Sequence, residues 1–353
     1  MSDAVAEARG ESVRLIRESA AGLAPRTGDL RRVRGLRFQT PGFDRSVWQQ
    51  MCEMGWPGLL VAEDDGGAGL GLAEYCALAE ELGAALTPEP LISASLAARV
   101  LRGEPLGALL SGTRLVLPAW QERANRFDIG DGTRVANGQV SGRKLFIPAA
   151  GGADDFLVAT VDGLVLVAAD AAGVALHLDQ TQDGGEYGTL VLTDAPCTSV
   201  SGELALDEAA LATAAYLLGV MDRAFAITLD YLKTRQQFGR AIGSFQALQH
   251  RAADLKIQLA LTRASVQSAA AVLDRGAAPN ARRAAVSRAK ARASDAAMLV
   301  CRQAIQLHGG IGYTDEADPG LFLRKAMVLA NLYGSAALHR ARFAQMAPDE
   351  DET

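Results

Sequence analysis

The feature that most constrains this sequence is a set of three long segments, from about residue 203 onward, whose apolar side chains recur every three or four residues. Such spacing places them on one face of an α-helix. These faces are Leu211, Ala215, Leu218, Phe225, Leu229 and Leu232; Leu248, Ala252, Leu255, Leu259, Val266, Ala269 and Leu273; and Val286, Ala289, Ala293, Ala296, Val300, Ala304 and Leu307. The many alanines permit close helix packing. We predict a left-handed four-helix bundle, completed by residues from about 321 to 346.

The rest of the sequence has two other patterns. Between residues 113 and 202, short β-branched runs alternate with the turn dipeptides Asn137-Gly138 and Asp162-Gly163, which predicts a small antiparallel sandwich or barrel. Residues 1–112 are helical with interruptions, including a helix between the N-cap Asp44 and Gly55. The predicted fold class is α+β multidomain, with an N-terminal α-helical domain (1–112), a middle antiparallel β-domain (113–202), a C-terminal four-helix bundle (203–347) and an acidic tail (348–353).

The composition excludes several functional classes. The 353 residues carry 35 Lys plus Arg and 41 Asp plus Glu, a net charge of −6, which argues against nucleic-acid or membrane binding. No uninterrupted apolar run reaches the roughly 18–20 residues of a membrane span, and the N-terminus does not resemble a secretory signal. The four cysteines lie far apart, and no histidines stand at metal-ligand spacing. We therefore expect a cytoplasmic protein with free thiols and no metal.

Two segments contain residues that packing alone does not require. TRQQFGRAIGSFQALQHRAADL (234–255) joins two predicted helices through a loop with arginine, glutamine, phenylalanine and glycine. In QAIQLHGGIGYTDE (303–316), a predicted helix ends at His308 and a glycine pair follows. Such a glycine pair can be a helix C-cap, and a loop arginine can be a solvated charge. Two dissimilar loops of this kind in this order nevertheless favour a binding function.

These segments resemble the acyl-CoA dehydrogenase family of flavoproteins. The matching motifs are R-x-x-F-G at 235–239, the F-Q pair at 245–246 followed by His250, and Q-x-x-G-G-x-G-Y at 306–313. GWPGLLVAEDDGGAGLG at 55–71 is similar to the family's glycine-rich N-terminal loop. The resemblance covers the whole chain, in the same order and with the same α–β–α layout.

The resemblance implies FAD as cofactor and assigns residues to it. Arg235 and Gln237 would hold the pyrophosphate, since a guanidinium presents a planar fork of donors. Phe238 would pack on the cofactor, and Phe245 and Gln246 would contact its nucleotide end.

The second segment implies an oligomer. By resemblance, Gln306, Gly309 and Gly310 would touch the FAD of the adjacent subunit, because glycine lets the backbone approach closely. A site shared in this way implies a dimer or a dimer of dimers.

The implied reaction is α,β-dehydrogenation of an acyl-CoA thioester. A carboxylate removes a proton from Cα, and the β-hydrogen leaves as hydride to the flavin. Electrons then pass to an electron-transferring flavoprotein.

The catalytic base departs from the family pattern. The usual glutamate, just before the last helix, is replaced by Tyr333, and a phenol with a pKa of about 10 is a poor base at neutral pH. A second family solution, near the start of the first bundle helix, falls on Ala209, next to Glu208. Glu208 is therefore the candidate base. The alternative is that Asp207 and Glu208 only favour the positive end of the helix dipole.

The β-domain departs as well. The family's T-E-P-G-x-G-S-D loop reads QERANRFD at 121–128, and its W-x-T reads Phe146-Ile147-Pro148. These losses lead to three hypotheses. The first is an FAD-dependent acyl-CoA dehydrogenase of fatty acid or sterol catabolism, or a subunit of a heteromeric member that acts on bulky, sterol-derived or dicarboxylic acyl-CoAs. The second is a non-catalytic subunit of a heterotetramer, and the third a flavin-dependent monooxygenase on the same fold.

Overall fold

The computed structural model describes residues 3–346, so the predicted acidic tail lies outside the described residues. In chain order the helices are α1 (Asp3–Leu23), α2 (Arg31–Leu36), α3 (Arg45–Glu53), α4 (Leu72–Ala84), α5 (Leu91–Ala98), α6 (Gly103–Leu110), α7 (Leu206–Thr234), α8 (Gln246–Asp274), α9 (Pro279–His308), α10 (Pro319–Leu329) and α11 (Ala336–Met346). The strands are β1 (Val116–Ala119), β2 (Arg134–Ala136), β3 (Gln139–Pro148), β4 (Asp155–Thr160), β5 (Gly163–Ala168), β6 (Val174–Gln180), β7 (Glu186–Pro196), β8 (Thr198–Val200), β9 (Gln236–Gln237) and β10 (Arg240–Ala241). The helical, β and helical regions follow one another as predicted.

The chain divides into two compact units. One comprises residues 1–31, 72–87 and 210–353, and the other comprises residues 32–71 and 88–209. The first unit therefore groups α1 and α4 with the C-terminal helices. The boundaries of the three predicted domains stay a prediction.

The first unit is built around the long helices that the sequence predicts. α9 packs against α8, α10 and α11, and α4 packs against both α1 and α8. The predicted apolar face of α9 is buried throughout, whereas on α8 burial begins at Leu255, and Leu248 and Ala252 are only half-buried. By length and composition α7 could cross a membrane, but 78% of its most apolar window is buried inside the protein. That burial is typical of a core helix.

Glycines allow α4 and α7 to cross closely. A Cβ at Gly83 would overlap the carbonyl oxygen of Tyr216, and a Cβ at Gly219 would overlap that of Glu80. The Tyr216 hydroxyl donates to Thr87 O at 2.8 Å beside this crossing. Only residues without a side chain let the two backbones approach this closely.

The residues that complete the bundle form two helices with a turn between them. α10 ends at Leu329 and α11 starts at Ala336, because Tyr333 and Gly334 between them have positive φ values of 53° and 100°. Such values cannot continue a right-handed helix.

The second unit contains the two four-stranded sheets. Their strand orders are β1-β4-β5-β8 and β2-β3-β7-β6. The strand pairs are antiparallel except β1 and β4, which run parallel, and this corrects the expectation of a wholly antiparallel domain. Asn137 and Gly138, with φ values of 50° and 74°, form the predicted turn between β2 and β3. The predicted cap is also present, since Asp44 accepts from Ser46 N at 2.8 Å at the start of α3.

Candidate functional site

The connection between α7 and α8 is a small hairpin closed onto the end of α7. Arg235 N donates to Tyr231 O at 2.9 Å, and Ile242 N donates to Arg235 O at 2.8 Å. β9 and β10 pair antiparallel around Phe238-Gly239, whose φ values are 51° and 76°. Positive φ at both turn residues suits glycine but strains a bulky side chain such as phenylalanine.

Phe238 is exposed as well as strained. Its side chain is 92% accessible to solvent. Its ring meets that of Phe245 edge-on at 6.2 Å, and the Arg240 guanidinium lies 4.1 Å from the centroid of the Phe245 ring. Among the described residues, the edge-on contact with Phe245 leaves most of the Phe238 side chain in solvent, so packing does not account for its positive φ. Backbone strain of this kind is characteristic of functional positions.

The hairpin surface is electropositive and open. Arg235, Gln237 and Gln246 are all exposed, and within the described residues Arg235 forms no ion pair. Residues 235–246 include two arginines and neither Asp nor Glu. The Gln237 amide donates to Gln236 O at 2.8 Å and keeps a second N–H. Together with the Arg235 guanidinium, such exposed donors suit an anionic group such as a phosphate.

The glycines at the end of α9 leave open space. Gly309 has φ 66° and ψ −141°, which glycine adopts far more readily than other residues. A Cβ at Gly310 would meet nothing within 4 Å, so no neighbour in residues 9–346 crowds that position. A Cβ at Gly312 would instead meet Ile305 O at 2.5 Å. The turn Gly309–Tyr313 therefore folds back on α9, while Gln306 and the glycine pair face solvent.

The two predicted segments meet at one end of the first unit. Tyr231, one turn before Arg235, stacks on His308 with ring centroids 4.4 Å apart and an angle of 21° between planes. His308 is 6% exposed, and its Nδ1 lies 2.7 Å from Ala304 O. Burial lowers the pKa of His308, and the hydrogen bond to Ala304 opposes that shift only in part. The imidazole is thus neutral at pH 7 and, since a carbonyl only accepts, carries its proton on Nδ1.

Glu208 lies in the first turn of α7 but is not a free carboxylate. Arg99 donates to it twice, from Nε at 3.0 Å and from an Nη at 3.3 Å. The same guanidinium donates to Leu60 O at 2.8 Å, and Glu208 is 8% exposed. To accept a substrate proton, Glu208 would have to leave a bidentate ion pair. Its role as a base stays a prediction, and the geometry seen is that of a structural pair.

Tyr333 lies in a turn that two buried side chains hold by its carbonyl oxygens. Lys290 Nζ is within 3.0–3.3 Å of Leu329 O, Ala330 O and Gly334 O, and also bonds Ser294 Oγ at 3.0 Å. His339 Nε2 lies 2.8 Å from Tyr333 O. Tyr333 itself is 2% exposed. The position where the family resemblance expects a base is therefore occupied by a buried phenol on a fixed turn.

The loop that replaces the family's T-E-P-G-x-G-S-D is organised by a buried ion pair. Lys144 is fully buried and donates to Glu122 Oε1 at 2.7 Å and to Ile129 O at 3.0 Å. Phe146 follows on a β-bulge with φ 57°, is 40% exposed, and meets Tyr187 edge-on at 6.2 Å. An aromatic side chain is thus present where the resemblance expects tryptophan.

Three contacts at these places were not predicted from the sequence. They are the Tyr231–His308 stack, the Glu122–Lys144 pair and the Lys290 contacts with the α10–α11 turn. The signals that could have pointed to the last two are Lys144, directly before the apolar run 145–147, and Lys290, on the alanine-rich face of α9. Over residues 3–346 no three His, Cys, Asp or Glu side chains are placed to hold a metal ion.

Comparison with known families agrees with this geometry. Residues 201–347 match the acyl-CoA dehydrogenase C-terminal domain, and residues 11–103 match the acyl-CoA dehydrogenase N-terminal domain. The acyl-CoA dehydrogenase IpdE2 of Mycolicibacterium smegmatis is 34% identical over 92% of this chain and 95% of its own length. IpdE2 of Mycobacterium tuberculosis is 33% identical over 93% of each chain.

Solved structures show the same fold. A variant of the Tcur3481–Tcur3483 steroid ACAD superposes with a TM-score of 0.86 and 28% identity, covering 96% of this chain and 98% of that one. The ChsE4–ChsE5 complex from Mycobacterium tuberculosis gives a TM-score of 0.86 with 25% identity over the same shares. The fold and the two loop segments define a flavoprotein-type oxidoreductase architecture. The chain belongs to the acyl-CoA dehydrogenase family, whose enzymes act on acyl-CoA.

Proposed function

We propose that the chain takes part in FAD-dependent α,β-dehydrogenation of an acyl-CoA and that it clamps the cofactor with residues 235–246 and 306–310. The observation that carries this proposal is the strained and exposed Phe238, three residues after Arg235, which forms no ion pair within the described residues. An exposed aromatic ring and an unpaired guanidinium are two features that a bound dinucleotide would satisfy together. Bound FAD would supply the hydride acceptor.

The donor set fits a pyrophosphate and its flanking groups. Arg235 and Gln237 offer donors on the hairpin, and the open backbone at Gly309 and Gly310 offers close approach at the α9 end. Both segments lie at one end of the same unit, joined by the Tyr231–His308 stack. We infer that they serve one flavin, held mainly by a neighbouring subunit, rather than two different flavins.

A heteromeric assembly accounts best for the missing base. Glu208 is bound to Arg99, and Tyr333 is buried at the usual base position. One of the solved structures similar to this chain is a complex, ChsE4–ChsE5, and another is described as a steroid ACAD. We propose a heterotetramer in which a partner supplies the base, the substrate is a bulky sterol-derived acyl-CoA, and an electron-transferring flavoprotein accepts the electrons. A cytoplasmic location remains a prediction.

The second candidate function is that of a non-catalytic subunit, and the Glu208–Arg99 pair favours it. In that case the chain contributes Gln306, Gly309 and Gly310 to a flavin and takes no part in proton transfer. Glu208→Gln keeps hydrogen-bonding capacity toward Arg99 but is a much weaker proton acceptor. Unchanged turnover by this variant in the assembled enzyme would mean that the partner supplies the base, as both the heterotetramer proposed above and the non-catalytic role require. Loss of turnover with acyl-CoA binding retained would identify Glu208 as the base and exclude the non-catalytic role.

The cofactor assignment is tested by FAD titration of the assembled protein. Arg235→Ala removes a charge-assisted contact worth about 1.5–3 kcal/mol, so the Kd for FAD should rise about 10- to 100-fold. Arg251→Ala is the matched control, since Arg251 is another exposed arginine, in the second turn of α8. Equal affinity in wild type and Arg235→Ala would refute the clamp. Consumption of dioxygen with reduced flavin, in place of reduction of an artificial acceptor, would indicate the monooxygenase.

A further inference from the structure

Each of the two cofactor segments is fixed to the last turn of its own helix. The hairpin is tied to α7 by the Arg235–Ile242 bond of 2.8 Å, and a Cβ at Gly243 would lie 2.8 Å from Leu232 O. The turn Gly309–Tyr313 is tied to α9 because Gly312 packs directly on Ile305 O. Neither segment can therefore move far without the helix end that carries it.

The contact between these two helix ends is aromatic. Tyr231 lies in the last turn of α7 and His308 is the last residue of α9, and their rings stack at 4.4 Å. The bond between His308 Nδ1 and Ala304 O holds the imidazole plane against its own helix. Tyr231 O, in turn, accepts from Arg235 N. The stack thus links Tyr231, which is hydrogen-bonded to Arg235, with His308, which directly precedes Gly309.

We propose that Tyr231 and His308 are a positioning pair that sets the separation between the hairpin and the glycine turn, and so the fit of both to one cofactor. This inference rests on the proposed function. Neither ring needs to touch the cofactor, because the pair acts through the backbone that each residue carries. Offset aromatic stacking is favoured by the ring quadrupoles, and binding sites depend on supports that keep contacting groups within about 0.5 Å of their productive positions.

The pair is tested with ring-removing and ring-keeping substitutions in the assembled protein. Tyr231→Leu and His308→Ala remove the stack, whereas Tyr231→Phe and His308→Phe keep two facing rings. The two variants without the stack should bind FAD about 10-fold more weakly, because the donors are misplaced. The two variants that keep both rings should change the Kd for FAD less than about threefold. Equal loss in His308→Phe and His308→Ala would show that stacking is not the cause and would overturn the proposal.

Hydrogen exchange without FAD gives a second, independent readout. Removing the Tyr231 ring should speed amide exchange both in residues 236–244, near the substitution, and in Gly309–Tyr313 on the other helix. Faster exchange only near the substitution overturns the proposal. Faster exchange in both segments with unchanged FAD affinity also overturns the proposal, because the stack would then be only a packing contact. The proposed function fails separately, if Arg235→Ala leaves FAD affinity unchanged while the exchange of the two segments remains coupled.

Discussion

Replacing Glu122 with glutamine should destabilise the β-sheet unit in a pH-dependent way. Glu122 accepts hydrogen bonds from Lys144 Nζ at 2.7 Å, Thr133 N at 2.9 Å and Gly132 N at 2.8 Å. The Lys144 side chain is 0% exposed and that of Glu122 is 9% exposed. The substitution therefore leaves a buried ammonium without its counter-charge and loosens the loop between Trp120 and Thr133.

The size of this destabilisation follows from the pKa of Glu122. Burial alone would raise this pKa, but hydrogen bonds from Lys144, Thr133 and Gly132 outweigh burial and lower it from 4.5 to about 2. At about 1.36 kcal/mol per pKa unit, the difference corresponds to about 3 kcal/mol in favour of folding. Because the folded pKa is the lower one, this contribution is complete above pH 4.5 and is lost as the pH falls toward 2.

The assay is urea unfolding monitored by near-ultraviolet circular dichroism, at pH 7 and at several acidic values. We expect Glu122→Gln to lose about 3 kcal/mol at pH 7, with the difference from wild type shrinking below pH 4.5. Asp131→Asn, at a 75% exposed carboxylate of the same loop, is the control and should change stability by less than about 0.5 kcal/mol. Adding Lys144→Met to Glu122→Gln should recover part of the loss, since no unpaired ammonium remains. A loss of unfolding free energy that stays constant across this pH range would show that the lowered pKa of Glu122 is not its source.

Two further substitutions test other parts of the structure. Gly219→Ala places a methyl group on the Glu80 carbonyl at the crossing of α4 and α7. It should lower the free energy of unfolding by about 3 kcal/mol or more. Its control is Gly107→Ala, in open space on α6, which should leave the free energy of unfolding unchanged or raise it by up to about 1 kcal/mol. Burial lowers the pKa of Lys290 from 10.5 to about 7. Between these two pH values the unfolded chain keeps a proton that the folded chain has lost. The free energy of unfolding of the wild type should therefore rise with pH in this range, by up to about 1.36 kcal/mol per pH unit. Lys290→Met should lack that gain, and identical pH profiles for the two proteins would contradict the assignment.

Local signals in the sequence predicted the local structure well. Asp44 caps α3 and Asn137-Gly138 forms its turn because capping and turn geometry depend only on neighbouring residues. The buried face of α9 follows the predicted spacing for the same reason. The family motifs likewise located the hairpin and the glycine turn.

Distant contacts explain what the sequence did not predict. The contacts that hold the turn between α10 and α11 come from Lys290, about 40 positions earlier in the chain. The parallel pairing of β1 with β4 is equally non-local. The Arg99–Glu208 ion pair, which bears on the base, joins residues 109 positions apart. No short-range pattern carries that information, because such pairs are selected by the packed fold.

The heteromeric assembly is tested most directly by flavin content and by acyl-CoA-dependent flavin bleaching. Both are measured for this chain alone and after co-purification with the products of neighbouring genes. We expect little flavin in the chain alone, because a neighbouring subunit holds most of the cofactor, and little bleaching, because the chain supplies no free base. The complex should carry about one flavin for every two chains, as composite sites in a symmetric heterotetramer require, and acyl-CoA should bleach it. Full flavin occupancy with rapid bleaching by the chain alone would contradict the heteromeric assembly.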